Sequence, residues 1–195
     1  MSARLKSSQK IHKLTYLALF TVLVAVLQWA SLTVRAGVFA TSALALVPIV
    51  LGAAICGPAA GAWLGFVFSL VTFMDAAAFL SVDVFGTILT VVLKGVMAGF
   101  VPGLVFALLK KRNVTVATAV SALLCPVTNS GIFFLGSVVF FLDTLEQWGE
   151  ALGFTNVFAY ILLGMIGTNF LIEFFTCLVL CPVILRLLQL FSRRH

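Results

Sequence analysis

The sequence predicts an all-α integral membrane protein that folds as a single domain over residues 1–195. Of its residues, 63% are hydrophobic and only 9% are charged, whereas a soluble domain usually carries about 25% charged residues. A soluble fold of this length could not bury so much apolar surface, so lipid must surround much of the chain. The apolar residues also form long runs between short polar or basic connections, which is typical of successive membrane-spanning helices.

Six apolar runs are each long enough to cross the hydrocarbon core, which takes about 17–25 helical residues. The predicted spans cover about 14–34, 37–56, 58–74, 84–109, 114–142 and 157–190. A basic segment precedes the first run, but that run is too long for the apolar region of a signal peptide and predicts a retained span. The last run exceeds one crossing, so it should tilt or continue into the cytoplasm as an amphipathic tail.

Basic side chains concentrate on one side of the predicted spans. Ten of the twelve Lys and Arg residues lie in the two terminal flanks and in the connection between the fourth and fifth spans. The other side carries Arg35 and the acids Asp75, Asp83, Asp143, Glu146 and Glu150. By the positive-inside rule, both termini should be cytoplasmic in a prokaryotic cell membrane. The net charge of +6 therefore reflects membrane topology, and lipid rather than nucleic acid is the expected partner.

Two charged residues, Lys94 and Glu173, fall inside predicted spans. A charge at bilayer depth costs from about 3 to more than 10 kcal/mol, so such residues usually face the interior of a bundle and mark a pathway or site. On the fourth span, Thr87, Thr90 and Lys94 share one helical face with Asp83. This face predicts a polar surface inside the bundle.

Two further helices carry polar residues at a similar depth. Asn169 and Glu173 are four residues apart and stack on one face of the sixth span. The fifth span contributes Thr128, Asn129 and Ser130. In one interpretation Lys94 pairs with Glu173, and the two asparagines only bond to neighbouring helices. In the other, these residues line a cavity, open to the outside, that binds a polar small molecule. Arg35 would then either meet an anionic ligand or anchor to lipid headgroups.

Glycines spaced by four residues predict close helix packing. Small residues at this spacing let two helix backbones approach each other. The third span carries one such series and the fourth span another: Gly57, Gly61 and Gly65, then Gly95, Gly99 and Gly103.

The sequence contains no motif for catalysis. It lacks the G-x-x-x-x-G-K-[ST] phosphate loop and the H-E-x-x-H zinc motif, and both histidines, His12 and His195, lie in the terminal flanks. The four cysteines lie in apolar segments and are interpreted as small fillers. We therefore expect no catalytic residue, no metal and no cofactor, and the pattern favours binding or transport over an enzyme. A six-span assembly subunit without a small-molecule ligand remains the alternative.

Several segments together resemble a known family. They are LVPIVLGAAICGPAAGAWLGFVFSL, FGTILTVVLKGVMAGFVPGL, TNSGIFFLGSVVFF and NFLIEFFTCLVLCPVILRLL. Over nearly its whole length the chain resembles the S-components of energy-coupling-factor (ECF) vitamin transporters, which are ABC importers. The resemblance implies an S-component-like bundle that binds one vitamin near its outer face. It also implies docking on a T-component that two ATPase subunits drive. Docking in that family uses small residues of the first helix, here Ala18, Thr21 and Ala25, although Val22 departs from the pattern.

The resemblance also suggests a vitamin, because TNSGIFFLG looks most like the pantothenate-type members. Lys94 and Arg35 would suit an anion, and the amides of Asn129 and Asn169 would suit a ligand with hydroxyls and an amide. Pantothenate has all three, so it is the expected ligand. Folate, thiamine or its pyrimidine precursor, and a pyridoxine-type vitamin stay open, and Glu173 with Trp29 would suit a cation such as thiamine.

Overall fold

A computed structural model describes the backbone of residues 2–33 and 43–192 and the side chains of residues 11–32 and 43–186. Within these ranges the chain is helical with no strand. The helices are α1 Ser2–Thr33, α2 Ala43–Cys56, α3 Pro58–Thr72, α4 Ala77–Leu80, α5 Val84–Leu109, α6 Val114–Phe140, α7 Leu142–Ala151, α8 Val157–Ala159 and α9 Thr168–Ser192. A 3-10 turn, Phe73–Asp75, follows α3, and a π-helical segment, Tyr160–Gly167, joins α8 to α9.

Five helical stretches are long and apolar enough to cross a membrane. They are Ile11–Leu32, Pro58–Asp75, Val84–Leu109, Val114–Phe140 and Val157–Arg186. The protein is therefore a multi-pass membrane protein, but the predicted second span over 37–56, and with it the count of six spans, is not confirmed. The described helix there, α2, has 14 residues, which gives about 21 Å against a hydrocarbon core of about 30 Å. The predicted fifth span also ends early, because α6 stops at Phe140 and the polar segment after it forms the separate helix α7.

The short helix α2 lies at the centre of the bundle. Ten of its 14 residues are buried, and it packs against α1, α3, α5 and α9. Its sequence, ALALVPIVLGAAIC, is apolar on every face, as expected of a helix that neighbours surround. Side chains of the adjoining helices complete this core, among them Phe20, Val24, Leu64 and Phe68.

Helices α3 and α5 meet backbone to backbone. A Cβ atom added to Gly61 would collide with the carbonyl oxygen of Gly99, and one added to Gly65 would collide with that of Gly95. The side chain of Ser69 closes the same contact, because its hydroxyl donates to the carbonyl oxygen of Val91 at 2.7 Å. Only glycine leaves room for this approach, so these residues set the distance between the two helices.

Gly57 belongs to a turn rather than to the helix contact. The packing prediction for Gly57 is wrong, because a Cβ there would meet no atom within 4 Å. Its φ of 109° lies in the region that glycine adopts without strain, and the residue lets the chain turn sharply between α2 and α3. The predicted contact at Gly103 has its own partner, since a Cβ on Gly103 would come within 2.8 Å of the Cα atom of Pro58.

The charged residues outside the bundle interior lie at its two ends, and contacts between helices show which segments share an end. The thiol of Cys56 donates to the carbonyl oxygen of Lys13 at 3.5 Å, and Nη2 of Arg186 donates to Oγ1 of Thr115 at 3.3 Å. The start of α1, the α2–α3 turn, the α5–α6 turn and the end of α9 therefore share one end. We call it the basic end; it carries Lys13, Lys110, Lys111, Arg112 and Arg186. The opposite, acidic end carries Asp75, Asp83, Asp143, Glu146 and Glu150.

Replacement of Gly99 by alanine should destabilise the protein, because the new methyl group would occupy the space of the Gly61 carbonyl. We expect the free energy of unfolding to fall by about 1–3 kcal/mol, as for other overpacked sites. Thermal unfolding of the purified protein in detergent would measure the change. Gly131→Ala is the matched control, because a Cβ at Gly131 on α6 meets nothing within 4 Å. Equal unfolding midpoints for the two variants would contradict the close contact.

Candidate functional site

A cavity of about 500 Å³ lies in the half of the bundle nearer the acidic end. Its wall comes from α1, α3, α5, α6, the π-helical segment and α9, together with residues of the short structures that follow α3. This size falls within the range of small-molecule sites, and the wall combines aromatic side chains with a few polar groups. Geometry alone therefore makes the cavity a candidate binding site.

Most of the predicted site residues reach this cavity. Six of them line it: Thr87, Thr90, Lys94, Asn129, Ser130 and Asn169. Glu173 does not line the cavity but lies fully buried beside it. Thr128 is not part of the lining, since it lies about 100° around α6 from Asn129, on the side away from Ser130. Arg35 lies outside the described residues. The role of these residues in binding a substrate stays a prediction.

Lys94 presents its ammonium group to the cavity and to an aromatic ring. Its Nζ atom lies 5.0 Å from the centroid of the Phe133 ring, which is within the range of a cation–π interaction. The lysine is half-buried and lines the cavity, so its charge is available to a molecule held there.

Glu173 is held by two asparagine amides. Nδ2 of Asn169 donates to Oε1 of Glu173 at 2.9 Å, and Nδ2 of Asn129 donates to Oε2 over a longer 3.4 Å. Each carboxylate oxygen thus receives one amide from a different helix, α9 or α6. The spacing of four residues between Asn169 and Glu173 explains the first contact, and the packing of α6 on α9 supplies the second.

Gln28 on α1 is a cavity residue that sequence reasoning missed. It is buried, and its Nε2 donates to Oγ1 of Thr72 at 3.3 Å. The Thr72 hydroxyl in turn donates to the carbonyl oxygen of Phe68 at 2.8 Å, so it can only accept from Gln28. A polar amide within an otherwise apolar first span was a signal that could have identified Gln28. Its partner, 44 residues away, could not have been found.

Three buried atoms on the cavity residues have no hydrogen-bond partner in the described part of the chain. They are Oε1 of Gln28, Oγ1 of Thr90 and Oδ1 of Asn129. Each residue is 4–5% exposed, and each lines the cavity. A buried polar group without a partner costs about 1–3 kcal/mol, so such groups are rare in native structures. A fourth such atom, Oγ of Ser137, belongs to a residue outside the lining.

Aromatic rings cluster at the acidic end of the cavity. Phe79, between α3 and α5, packs edge-on against Phe141 at 5.0 Å and Phe133 at 6.0 Å between ring centroids. Trp148 of α7 covers Phe79 from the outside at 5.7 Å. Trp29, which was considered for stacking on a ligand, is instead 56% exposed and does not line the cavity.

The residues predicted for docking lie at the surface of α1 or near it. Ala18 is exposed, and Ala25 is half-buried. Thr21 accepts a hydrogen bond from Nε1 of Trp63 on α3 at 3.2 Å, so its hydroxyl also ties α1 to α3. Docking through these positions stays a prediction.

Removal of the Thr90 hydroxyl should leave the ligand-free protein as stable as before or slightly more stable, since this buried group has no partner to lose. We expect Thr90→Val to keep or raise the thermal unfolding midpoint. Ser69→Ala, at a buried hydroxyl that donates to Val91, should instead cost about 1 kcal/mol. A midpoint that falls as far for Thr90→Val as for Ser69→Ala would reveal a hidden partner of Thr90.

The comparison with protein families identifies the chain. Residues 12–185 match the family model described as ECF transporter, substrate-specific component. No characterised protein and no solved structure matches the chain. The family match covers most of the sequence and includes every described residue of the cavity wall. The chain therefore belongs to the family of substrate-specific components of ECF transporters, and it is the substrate-binding subunit of such a transporter.

Proposed function

We propose that the protein binds pantothenate in the cavity and delivers it to the cytoplasm together with an ECF T-component and two ATPase subunits. The observation that carries this proposal is the combination of one ammonium group and three unpartnered buried polar atoms on a single cavity wall. Pantothenate has a carboxylate for Lys94 and an amide N–H and two hydroxyls for the amide oxygens and the Thr90 hydroxyl.

The unpartnered atoms favour a ligand site over an assembly subunit whose polar residues only join helices. In a purely structural role, each buried polar group would be expected to find a partner on a neighbouring helix. Ser69 and Ser121 do so, since they donate to carbonyl oxygens at 2.7 Å and 3.0 Å. Gln28, Thr90 and Asn129 differ from this pattern, because each lines the cavity and has a buried polar atom without a partner in the described part of the chain.

The charges favour an anion over a cation such as thiamine. Two charged side chains line the cavity: Lys94, and Asp75 of the 3-10 turn at the acidic end. Lys94 shares the cavity wall with Asn129 and Asn169, whereas Glu173 lies outside the lining and accepts hydrogen bonds from their two amides. An anionic ligand would place its carboxylate beside Lys94 in a charge-assisted hydrogen bond. A cation could pair with Asp75, but it would share the cavity with the ammonium group of Lys94. Folate shares the anionic charge with pantothenate and is the second candidate among the vitamins.

The membrane orientation is part of the same proposal. The basic end carries Lys110, Lys111 and Arg112 in one short turn, so by the positive-inside rule it faces the cytoplasm. Both termini are then cytoplasmic, α2 completes six passes, and the cavity lies toward the outer face. In this orientation Ala18 and Ala25 occupy the part of α1 through which the T-component would dock.

Pantothenate should stabilise the purified protein against heat, because a ligand that binds only the folded state raises the free energy of unfolding. At a ligand concentration 1,000 times the Kd, the gain is about 4 kcal/mol. The measurement is the unfolding midpoint across pantothenate, folate, thiamine and pyridoxine. A shift with thiamine alone would overturn the anionic assignment, and no shift with any vitamin would refute binding in this cavity.

Lys94→Met should weaken pantothenate binding by about 10- to 100-fold, since a hydrogen bond to a charged group contributes about 1.5–3 kcal/mol. Calorimetric titration would measure it. Panthenol, the alcohol analogue without the carboxylate, is the matched ligand and should bind wild-type and Lys94→Met protein about equally. If the double variant Lys94→Met/Glu173→Leu still binds pantothenate at wild-type strength, Lys94 has no role in ligand binding.

A further inference from the structure

We propose that Glu173 is a positioning residue that turns the carbonyl oxygen of Asn129 toward the cavity, so that the site selects an anion which also carries a hydrogen-bond donor. The donor would be an amide N–H or a hydroxyl group. The inference rests on the proposed function, in which an anionic vitamin occupies the cavity. It adds a reason why the site prefers a ligand with a hydrogen-bond donor next to Asn129.

The geometry begins with the two amides on Glu173. Its carboxylate oxygens accept from Nδ2 of Asn169 at 2.9 Å and from Nδ2 of Asn129 at 3.4 Å. An ionised carboxylate only accepts hydrogen bonds. If the Asn129 amide were turned over, its carbonyl oxygen would face Oε2 of Glu173, and two acceptors would meet without a proton between them. Glu173 therefore fixes which side of the amide is turned away from it.

The side turned away is an acceptor without a protein partner. Oδ1 of Asn129 is buried with no hydrogen bond in the described part of the chain, and Asn129 is only 5% exposed. Because Asn129 lines the cavity, a molecule in the cavity is what can reach this oxygen. A carbonyl oxygen accepts but cannot donate, so the matching ligand group must be a donor.

Gln28 repeats the same arrangement on α1. Its Nε2 donates to Oγ1 of Thr72, and the proton of that hydroxyl is already given to the carbonyl oxygen of Phe68. The Gln28 amide is thus oriented as the Asn129 amide is, and its Oε1 is also buried without a partner. The cavity wall thus offers these two carbonyl acceptors, the ammonium group of Lys94 and, at the acidic end, the carboxylate of Asp75. The two carbonyl acceptors call for donors at two separate points of the ligand, and Lys94 calls for an anionic group.

If Glu173 positions the Asn129 amide, its replacement should change which ligands the site prefers; a purely structural Glu173 would leave that preference unchanged. In a Glu173→Gln variant, the glutamine carries one oxygen and one NH₂ group in place of two acceptors. If the oxygen of this glutamine keeps the shorter hydrogen bond to Asn169, the glutamine NH₂ faces Asn129. The Asn129 amide then turns over, so that the Asn129 oxygen accepts from the glutamine and the Asn129 NH₂ faces the cavity. The site should then stop discriminating for a donor at this point, while Lys94 still recognises the anionic charge.

The test measures binding of three ligands by calorimetric titration to the purified full-length protein. They are pantothenate, its ester analogue, in which oxygen replaces the amide N–H, and its analogue without the secondary hydroxyl. For wild-type protein we expect at least one analogue to bind 10-fold or more weakly than pantothenate. In Glu173→Gln that ratio should fall to within about 2-fold of unity. Ser137→Ala, a change at another buried polar residue of α6 outside the cavity lining, should keep the wild-type ratio.

The outcomes separate this inference from the proposed function. If pantothenate binds but neither analogue is weaker, or if Glu173→Gln keeps the wild-type ratio, the positioning role is overturned and the proposed function stands. If pantothenate does not bind, the assignment of the ligand fails, and a second measurement without ligand decides the positioning role. That measurement is a double-mutant cycle on the thermal unfolding midpoints.

In the ligand-free cycle, the shifts of Glu173→Gln and Asn129→Ala should not add, because Glu173→Gln alters the same contact that Asn129→Ala removes. The double variant should show a smaller shift than the sum of the single variants. The pair Glu173→Gln and Ser137→Ala should add, since Ser137 lies about two helical turns along α6 from Asn129. Additive shifts for Glu173 with Asn129 would overturn the orientation of the amide by Glu173.

Discussion

The backbone contact between α3 and α5 is the constraint on which the cavity depends. Glycines hold the two helices together toward the basic end, and the hydroxyl of Ser69 joins them at the carbonyl of Val91. From that point toward the acidic end, the same two helices carry larger side chains that surround the cavity, among them Thr72 on α3 and Thr87 on α5. The change from glycine to larger residues thus marks where the packed interior ends and the cavity begins.

Helical periodicity predicted most of one cavity wall. Thr87, Thr90 and Lys94 share a face of α5 by spacing alone, and the structure places all three on the cavity. The spacing of four residues also anticipated the hydrogen bond between Asn169 and Glu173. The same geometry argues against Thr128, because three consecutive residues of a helix span about 200° and cannot all share one face.

The remaining features depend on contacts between distant parts of the chain. Phe133 is one of nineteen phenylalanines, and only the folded bundle shows that its ring lies beneath the ammonium of Lys94. The length of α2 could not be read from hydropathy, because a helix buried by its neighbours is as apolar as one that contacts lipid. The π-helical segment Tyr160–Gly167 likewise has no signal in hydropathy, although Met165 and Ile166 within it line the cavity.

The distribution of unpartnered atoms connects the stability of the fold to its selectivity. Away from the cavity, hydroxyls such as those of Thr118 and Ser121 donate to backbone carbonyls, so their burial costs little. At the cavity, the amide NH₂ groups of Gln28 and Asn129 each donate to an acceptor, which fixes the orientation of the amide. The amide oxygens of both residues have no partner in the described part of the chain. An amide held in this way needs no reorientation when a donor arrives, so less free energy is lost to ordering on binding. The unpartnered oxygens thus lower the stability of the ligand-free protein, but they are already oriented for a ligand with donors at matching positions.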